Sequence, residues 1–178
     1  MRFQVRASTY SKQYGITLVE LMITIAILAI VAVVAVPSFQ AVMANLEANR
    51  VQSTMRSVIQ DSKHRAFTNR QRITICGSSN LQDCDAQWST GFIIFNDLNK
   101  NKFKDANEDI IKKHTFNLKH GTLTWRAPRR NKTLFFQPDT GLPRGSNGSF
   151  TYCANSNKHQ KVIVSMMGHA RHETATSC

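Results

Sequence analysis

Carboxylates are scarce in this sequence. Eleven Asp and Glu stand against 23 Lys and Arg in 178 residues, a formal net charge of +12. Motifs that carry chemistry are scarcer still: there is no nucleophile elbow, no phosphate-cradling glycine loop and no His-Glu metal pair. An enzymatic role therefore has no residues to rest on. The four cysteines, Cys76, Cys84, Cys153 and Cys178, include no pair two to four residues apart, the spacing that a zinc site uses. His169 and His172 are three apart, but a metal needs more ligands than two. Internal repeats are absent. No cofactor and no metal is expected.

What is present marks a globular chain. Hydrophobic residues make up 42% and aromatics 8%, too apolar for a disordered segment. The basic excess is uneven. From Lys119 to Cys178 nine Lys or Arg face only Asp139 and Glu173, a net of +7. A basic end suits a polyanionic partner, whether nucleic acid, anionic lipid or an acidic protein face. It equally suits a solvated surface that keeps the chain soluble. An even number of cysteines beyond an apolar segment fits two disulfides in an oxidising compartment. Cys76–Cys84, closing a short loop, and Cys153–Cys178, tying down the C-terminus, are favoured over other pairings and over free thiols.

The apolar segment is Ile16 to Val36, 21 nearly unbroken residues with one carboxylate, Glu20. At about 1.5 Å per residue that length spans a bilayer core of about 30 Å. Met1–Gly15 before it is basic and polar, and no A-x-A site follows the apolar run. A segment that is kept is expected, not a cleaved signal peptide. Basic residues ahead of the span predict a cytoplasmic N-terminus. A lone carboxylate in hydrocarbon is costly unless paired, so it marks function.

"GITLVELMITIAILAIVAVVAVP" resembles the N-terminus of type IV pilins and type II secretion pseudopilins. The resemblance implies that a prepilin peptidase cuts after Gly15 and that Ile16 is N-methylated. Family members usually carry Phe where Ile16 stands. It also implies that Glu20 pairs with the N-terminal amine of Ile16 on an adjacent subunit, fixing axial register, and that Pro37 ends the apolar half of the helix. Implied partners are other major and minor pilins, the prepilin peptidase and an inner-membrane assembly platform. The implied location is the inner membrane with a periplasmic head, then an extracellular pilus, at or near its tip.

Beyond Pro37, Phe39, Val42, Met43, Leu46, Val51, Met55, Val58, Ile59 and Phe67 recur at roughly helical spacing. They predict an amphipathic continuation to about Thr68 that walls a core. After Asn69 the period shifts toward two: "RITIC", "GFIIFN", "IIKKHTF", "TLTWR", "TLFFQ", "SFTYC" and "KVIVSM" read as short strands between Gly, Asn, Asp and Pro clusters. The expected fold is α+β, a long N-terminal helix packed on a C-terminal antiparallel β domain. The expected organisation is a leader over 1–15, a transmembrane and filament-core helix over 16–37, its amphipathic continuation over 38–68 and a β-rich head over 69–178. The order of these pieces resembles the FimT/FimU/GspH group of minor pilins and pseudopilins. That implies a minor type IV pilin that helps initiate assembly, or alternatively a GspH-type pseudopilin of a type II secretion system.

Three constellations remain. Asp97, Asn99, Asn101, Asp105 and Glu108 fall at positions one, three, five, nine and twelve of an EF-hand-like count. The sixth position, where such loops need Gly, is Lys102, and Lys100 and Lys104 add repelling charge. The expectation is a hairpin turn that caps its own backbone. "TWRAPRRNKTLFF" sets Arg126, Arg129, Arg130 and Lys132 beside Trp125 and Phe135, a pattern that can contact phosphates and stack on bases. The aromatics are expected in the core and the arginines in a turn. Finally, some FimT-like pilins of competent bacteria bind incoming DNA through Gly-Arg-x-Arg at the place where this chain has Gly168, His169, Ala170 and Arg171. The resemblance implies a half-kept motif, supplemented by Lys158, Lys161 and His172, that contacts double-stranded DNA without reading its sequence. Otherwise the segment is a turn and a tail.

Overall fold

The computed structural model describes residues 15–155 and 159–178. One helix, α1, runs Leu18–Asn69. Thr17 caps its start, its Oγ1 accepting the Glu20 main-chain N–H at 3.2 Å, as N-cap residues do. Pro37 lies inside α1. Its ring removes one main-chain donor, yet the helix continues on both sides.

The chain divides into two compact units after Phe39. In the first, every described residue is exposed, and the start of α1 is long and apolar enough to cross a membrane. The second, Gln40–Cys178, carries its own core, since every buried apolar residue lies at or after Ala44. Here the buried face of α1 is Ala44, Ala48, Val51, Met55, Val58, Ile59, Ser62 and Ala66. These positions are three and four apart, one stripe of a 3.6-residue helix. Met55 and Ile59 are fully enclosed, and each contributes about 1.5–3 kcal/mol by leaving water.

The structure corrects the stripe expected from the sequence. Phe39, Val42, Met43, Leu46 and Phe67 are exposed. Val51, Met55, Val58 and Ile59 are buried as expected, and the small residues Ala44, Ala48, Ser62 and Ala66 complete the seam, where a helix lying close over a sheet leaves little room for larger side chains.

Among the described residues eight strands follow: β1 Ile73–Gly77, β2 Gly91–Asn96, β3 Ile110–Thr115, β4 Gly121–Arg126, β5 Thr133–Phe136, β6 Gly148–Ala154, β7 His159–Val164 and β8 Ala170–Ala175. They form two four-stranded antiparallel sheets, ordered β3-β2-β1-β5 and β4-β6-β7-β8. Residues from α1 and both sheets share one core, in which Phe92, Phe136, Phe150 and Tyr152 are the large side chains.

Strands β1 and β2 are buried on both faces. The outward face of β1 and β2, with Cys76, Ile93 and Phe95, is covered by Leu81, Cys84 and Ile110. The Cys76–Cys84 disulfide fastens that cover, and a second disulfide joins Cys153 to Cys178. Both pairings agree with the reading of the sequence.

A carboxylate from α1 joins the helix to the second sheet. Glu47 accepts the Lys119 N–H at 2.8 Å, the His120 N–H at 3.1 Å and the Tyr152 hydroxyl at 2.7 Å. Partial burial works to raise the Glu47 pKa, but these three hydrogen bonds and nearby His120 outweigh it and hold the pKa below the ordinary value. Burial and the Glu47 charge push the Tyr152 phenol well up. Gly121 must be glycine here, because a Cβ would come within 2.5 Å of the Tyr152 ring and 2.6 Å of the Cys153 carbonyl.

Candidate functional site

Among the described residues, the N-terminal junction stands clear of other groups. A Cβ on Gly15 would meet nothing within 4 Å, and Ile16 is 76% exposed. The first turn of α1 follows at once, with the Leu21 N–H on the Thr17 carbonyl at 3.1 Å. Gly15, Ile16 and Glu20 therefore occupy an accessible strip that passes directly into helix. An uncovered apolar helix of this length is unstable in water and needs lipid or other helices around it.

Three places on the second unit bring basic residues together. The first is a groove of about 750 Å³ between the C-terminal half of α1 and the β7–β8 turn, lined by Arg56, Gln60, Lys63, His64, Phe67, Thr140, Gly168, His169 and Ala170. No carboxylate lines it. The turn is built from Ser165–His169. The Gly168 N–H donates to the Ser165 carbonyl at 2.9 Å, and the Ser165 N–H to the His169 carbonyl at 3.0 Å. Gly168 has φ +72°, a left-handed conformation that favours glycine. Lys63 fastens the turn to the helix, its Nζ donating to the Met167 carbonyl at 3.0 Å. Arg56, Lys63 and His64 are absent from the sequence-based list. Arg56, Gln60, Lys63 and Phe67 are spaced by four, three and four, one helix face, and that was the available signal.

The second place is the outer face of the β4-β6-β7-β8 sheet. Buried Leu123, Phe150, Tyr152, Val162 and Val164 point inward, so the alternate residues point out. Register places Arg126, Ser149, Ile163 and Arg171 in one row. Lys161 lies in the next row, opposite Glu173. Arg171 thus stands on the opposite face from the His169 groove. The Gly168-His169-Ala170-Arg171 segment is divided between two surfaces. It is also not a tail: β8 extends it as an edge strand, which the sequence reading treated as turn and tail. Polar edge strands lack the apolar alternation that reveals inner ones.

The third place is the β4–β5 connection. Pro128–Arg130 forms a 3-10 turn with Arg130 at φ +53°. A groove of about 620 Å³ lined by Trp125, Arg126, Arg130 and Lys132 lies to one side. One of about 570 Å³ lined by Lys102, Phe103, Arg130, Lys132 and Phe135 lies to the other. The aromatics here serve packing. Trp125 lies 4.4 Å from the Phe150 ring centroid and donates Nε1–H to the Asn131 carbonyl at 3.1 Å. Phe135 is buried beneath the Arg72 guanidinium at 4.6 Å. For Arg129 only the backbone is described, and Lys158 lies outside the described residues.

The β2–β3 loop, 97–109, is held by its own side chains. Glu108 accepts the Leu98 and Asp105 N–H groups at 2.8 and 3.1 Å. Asn99 and Asn101 accept the N–H groups of Asn101 and Phe103 at 3.1 and 2.7 Å.

A capped apolar helix that begins within a Gly-Ile-Thr-Leu-Val-Glu motif, and whose later half backs two antiparallel sheets, defines a subunit of the type IV pilin superfamily. Sequence comparison refines this. Residues 47–168 match the family described as Type II transport protein GspH, and residues 10–36 match the prokaryotic N-terminal methylation motif. The chain belongs to the GspH family, in the FimT/FimU/GspH group of that superfamily. Two crystal structures of the type IV minor pilin FimU of Pseudomonas aeruginosa share the fold. One has 19% identity and a TM-score of 0.57, covering 75% of this chain and 96% of FimU. The other has 18% identity and a TM-score of 0.53, covering 73% and 98%. Comparison with curated protein sequences returned no match. As a class, pilins are structural subunits, membrane-anchored by the apolar helix before they join a fibre.

Proposed function

We propose that the chain is a minor pilin of a type IV pilus, cut between Gly15 and Ile16, methylated on Ile16 and placed at or near the tip, where it helps initiate assembly. The role is structural, with no catalytic step. The observation that carries the reading is Glu20. It sits five residues after Gly15 in a strip whose side chains are all exposed. Two copies staggered along a fibre bring the Glu20 carboxylate of one to the Ile16 amine of the next. Helix packing supplies the attraction, and the ion pair fixes register. Glu20→Gln is the test: a folded, membrane-resident chain lost from the fibre fraction supports the reading, and normal incorporation refutes it. The rival is a GspH-type minor pseudopilin of a type II secretion system. A deletion that abolishes secretion and spares pili would replace the pilus assignment.

Duplex DNA is the partner that the basic surfaces suit best. The carboxylate-free groove and the outward Arg126, Lys161 and Arg171 offer phosphate contacts on two faces, with Arg130 and Lys132 between further grooves. Binding of this kind is sequence-independent and falls steeply with salt. The unit Gln40–Cys178 carries its own core, so duplex DNA is titrated into it at low salt and followed by gel shift and NMR. Arg171→Ala and Arg56→Ala each reduce the salt slope by about one. Absence of any shift at low salt overturns the DNA reading and leaves the pilin reading standing.

A further inference from the structure

We propose that the β2–β3 loop is a calcium site, with Asp97, Asn99 and Asn101 as side-chain ligands and Asp105 as the outer acceptor. The central observation is Asp97, 1% exposed and with one oxygen, Oδ1, that has no hydrogen-bond partner. Its other oxygen accepts Thr74 Oγ1 at 3.0 Å and the Lys102 N–H at 3.2 Å. Lys102 is the loop's sixth position, so the carboxylate faces into the loop. A buried carboxylate oxygen without a donor is costly, and a cation at the loop's centre removes that cost.

The donors around it are hard oxygens of the kind that calcium takes. Asn99 Oδ1 and Asn101 Oδ1 each accept one main-chain N–H and keep a second lone pair. Their amide nitrogens both donate to Asp105 Oδ2 at 2.7 Å. That holds the two amides side by side and leaves Asp105 Oδ1 for a bridging water. No three Asp, Glu, His or Cys side chains converge there among the described residues. The site depends on amide oxygens as much as on carboxylates, and Glu108 stays on its two backbone N–H groups.

The objection raised by Lys102 is met in two ways. Its backbone takes φ +71°, the left-handed geometry that Gly normally provides at this position. Its Nζ lies 5.4 Å from the Phe135 ring centroid, over the neighbouring groove. The lysines still weaken the site, which places it with extracellular calcium modules of about 10⁻⁴–10⁻³ M. Occupancy would pin the β2–β3 hairpin at the edge of its sheet.

The test uses the full chain in detergent micelles after chelator treatment. CaCl2 is titrated by calorimetry and by thermal melting, with MgCl2 and with NaCl at matched ionic strength as controls. A saturable one-to-one heat is expected, with a melting rise of about 3–5 °C at tenfold excess over Kd. Asn101→Ala, at an exposed position, and Asp105→Ala, at a half-buried one, each weaken binding about tenfold. Lys102→Gly, which removes a like charge and supplies glycine, tightens it about fivefold. No saturable response up to about 10 mM CaCl2 in either wild type or Lys102→Gly overturns the proposal. So does an equal response to MgCl2 or NaCl.

Discussion

Glu47→Ala removes a side chain that hydrogen-bonds α1 to the β4 end of the second sheet. Three donors lose their acceptor: the Lys119 and His120 N–H groups and the Tyr152 hydroxyl. Hydrogen bonds to a charged group contribute about 1.5–3 kcal/mol each where water is excluded. Water is not excluded equally. Lys119 is exposed and His120 half-buried, whereas Tyr152 is 2% exposed. Solvent therefore replaces much of the first two bonds, and the phenol bears most of the loss. The expected total is about 2–3 kcal/mol, a fall in melting temperature of about 6–10 °C for a unit of this size. Thermal melts of Gln40–Cys178 measure it. Tyr152→Phe alone should cost about 1–2 kcal/mol, and the double variant should cost less than the sum of the singles. A Glu47→Ala midpoint within about 1 °C of wild type would refute the argument that this carboxylate anchors the helix.

Acid should destabilise the second unit in two stages. Burial, then Arg50 and Lys112, hold the His114 pKa below 6.5, so stability falls as pH drops from about 6.5 toward the folded value. Glu47 adds a second loss below about 4.5, as its lowered folded pKa is approached; melts across pH 3–8 follow both, and His114→Phe should flatten only the upper stage. Opening Cys153–Cys178, separated by 25 residues, should cost about 3.5 kcal/mol, and opening Cys76–Cys84, separated by 8, about 2.5 kcal/mol. Urea titration of the Cys→Ser pairs checks the order. Gly168→Ala forces a side chain into φ +72° and to 3.1 Å from Lys63 Cδ, so it should cost about 1–2 kcal/mol and shift Lys63 and His169 resonances.

Legibility in the sequence followed locality. The N-terminal motif is one continuous string, and its apolar run, carboxylate and helix onset could all be read in order. Strands with buried aromatics and β-branched residues, such as β2 and β5, announced themselves by composition. β8 did not, because "ARHETA" contributes only the partly buried Ala170 to the core and otherwise pairs with β7 through polar, exposed residues. The stripe on α1 is legible in its middle, where Val51, Met55, Val58 and Ile59 are buried, and not at its ends, where Phe39, Val42, Met43, Leu46 and Phe67 are exposed and Ala44, Ala48 and Ala66 make the contact. The groove was illegible because it exists only where 56–67 meets 168–170, over a hundred residues away. The loop 97–109 was read by ligand count alone, and only the structure shows that Lys102 adopts the glycine-like conformation and that one Asp97 oxygen is left over.

The proposed assembly role rests on Gly15 and Glu20. Mass spectrometry of the chain recovered from sheared fibres and, in parallel, from membranes tests it. A fibre-associated chain whose first residue is N-methylated Ile16 is expected. A chain that keeps residues 1–15, or one found only in the membrane fraction after processing, would contradict it.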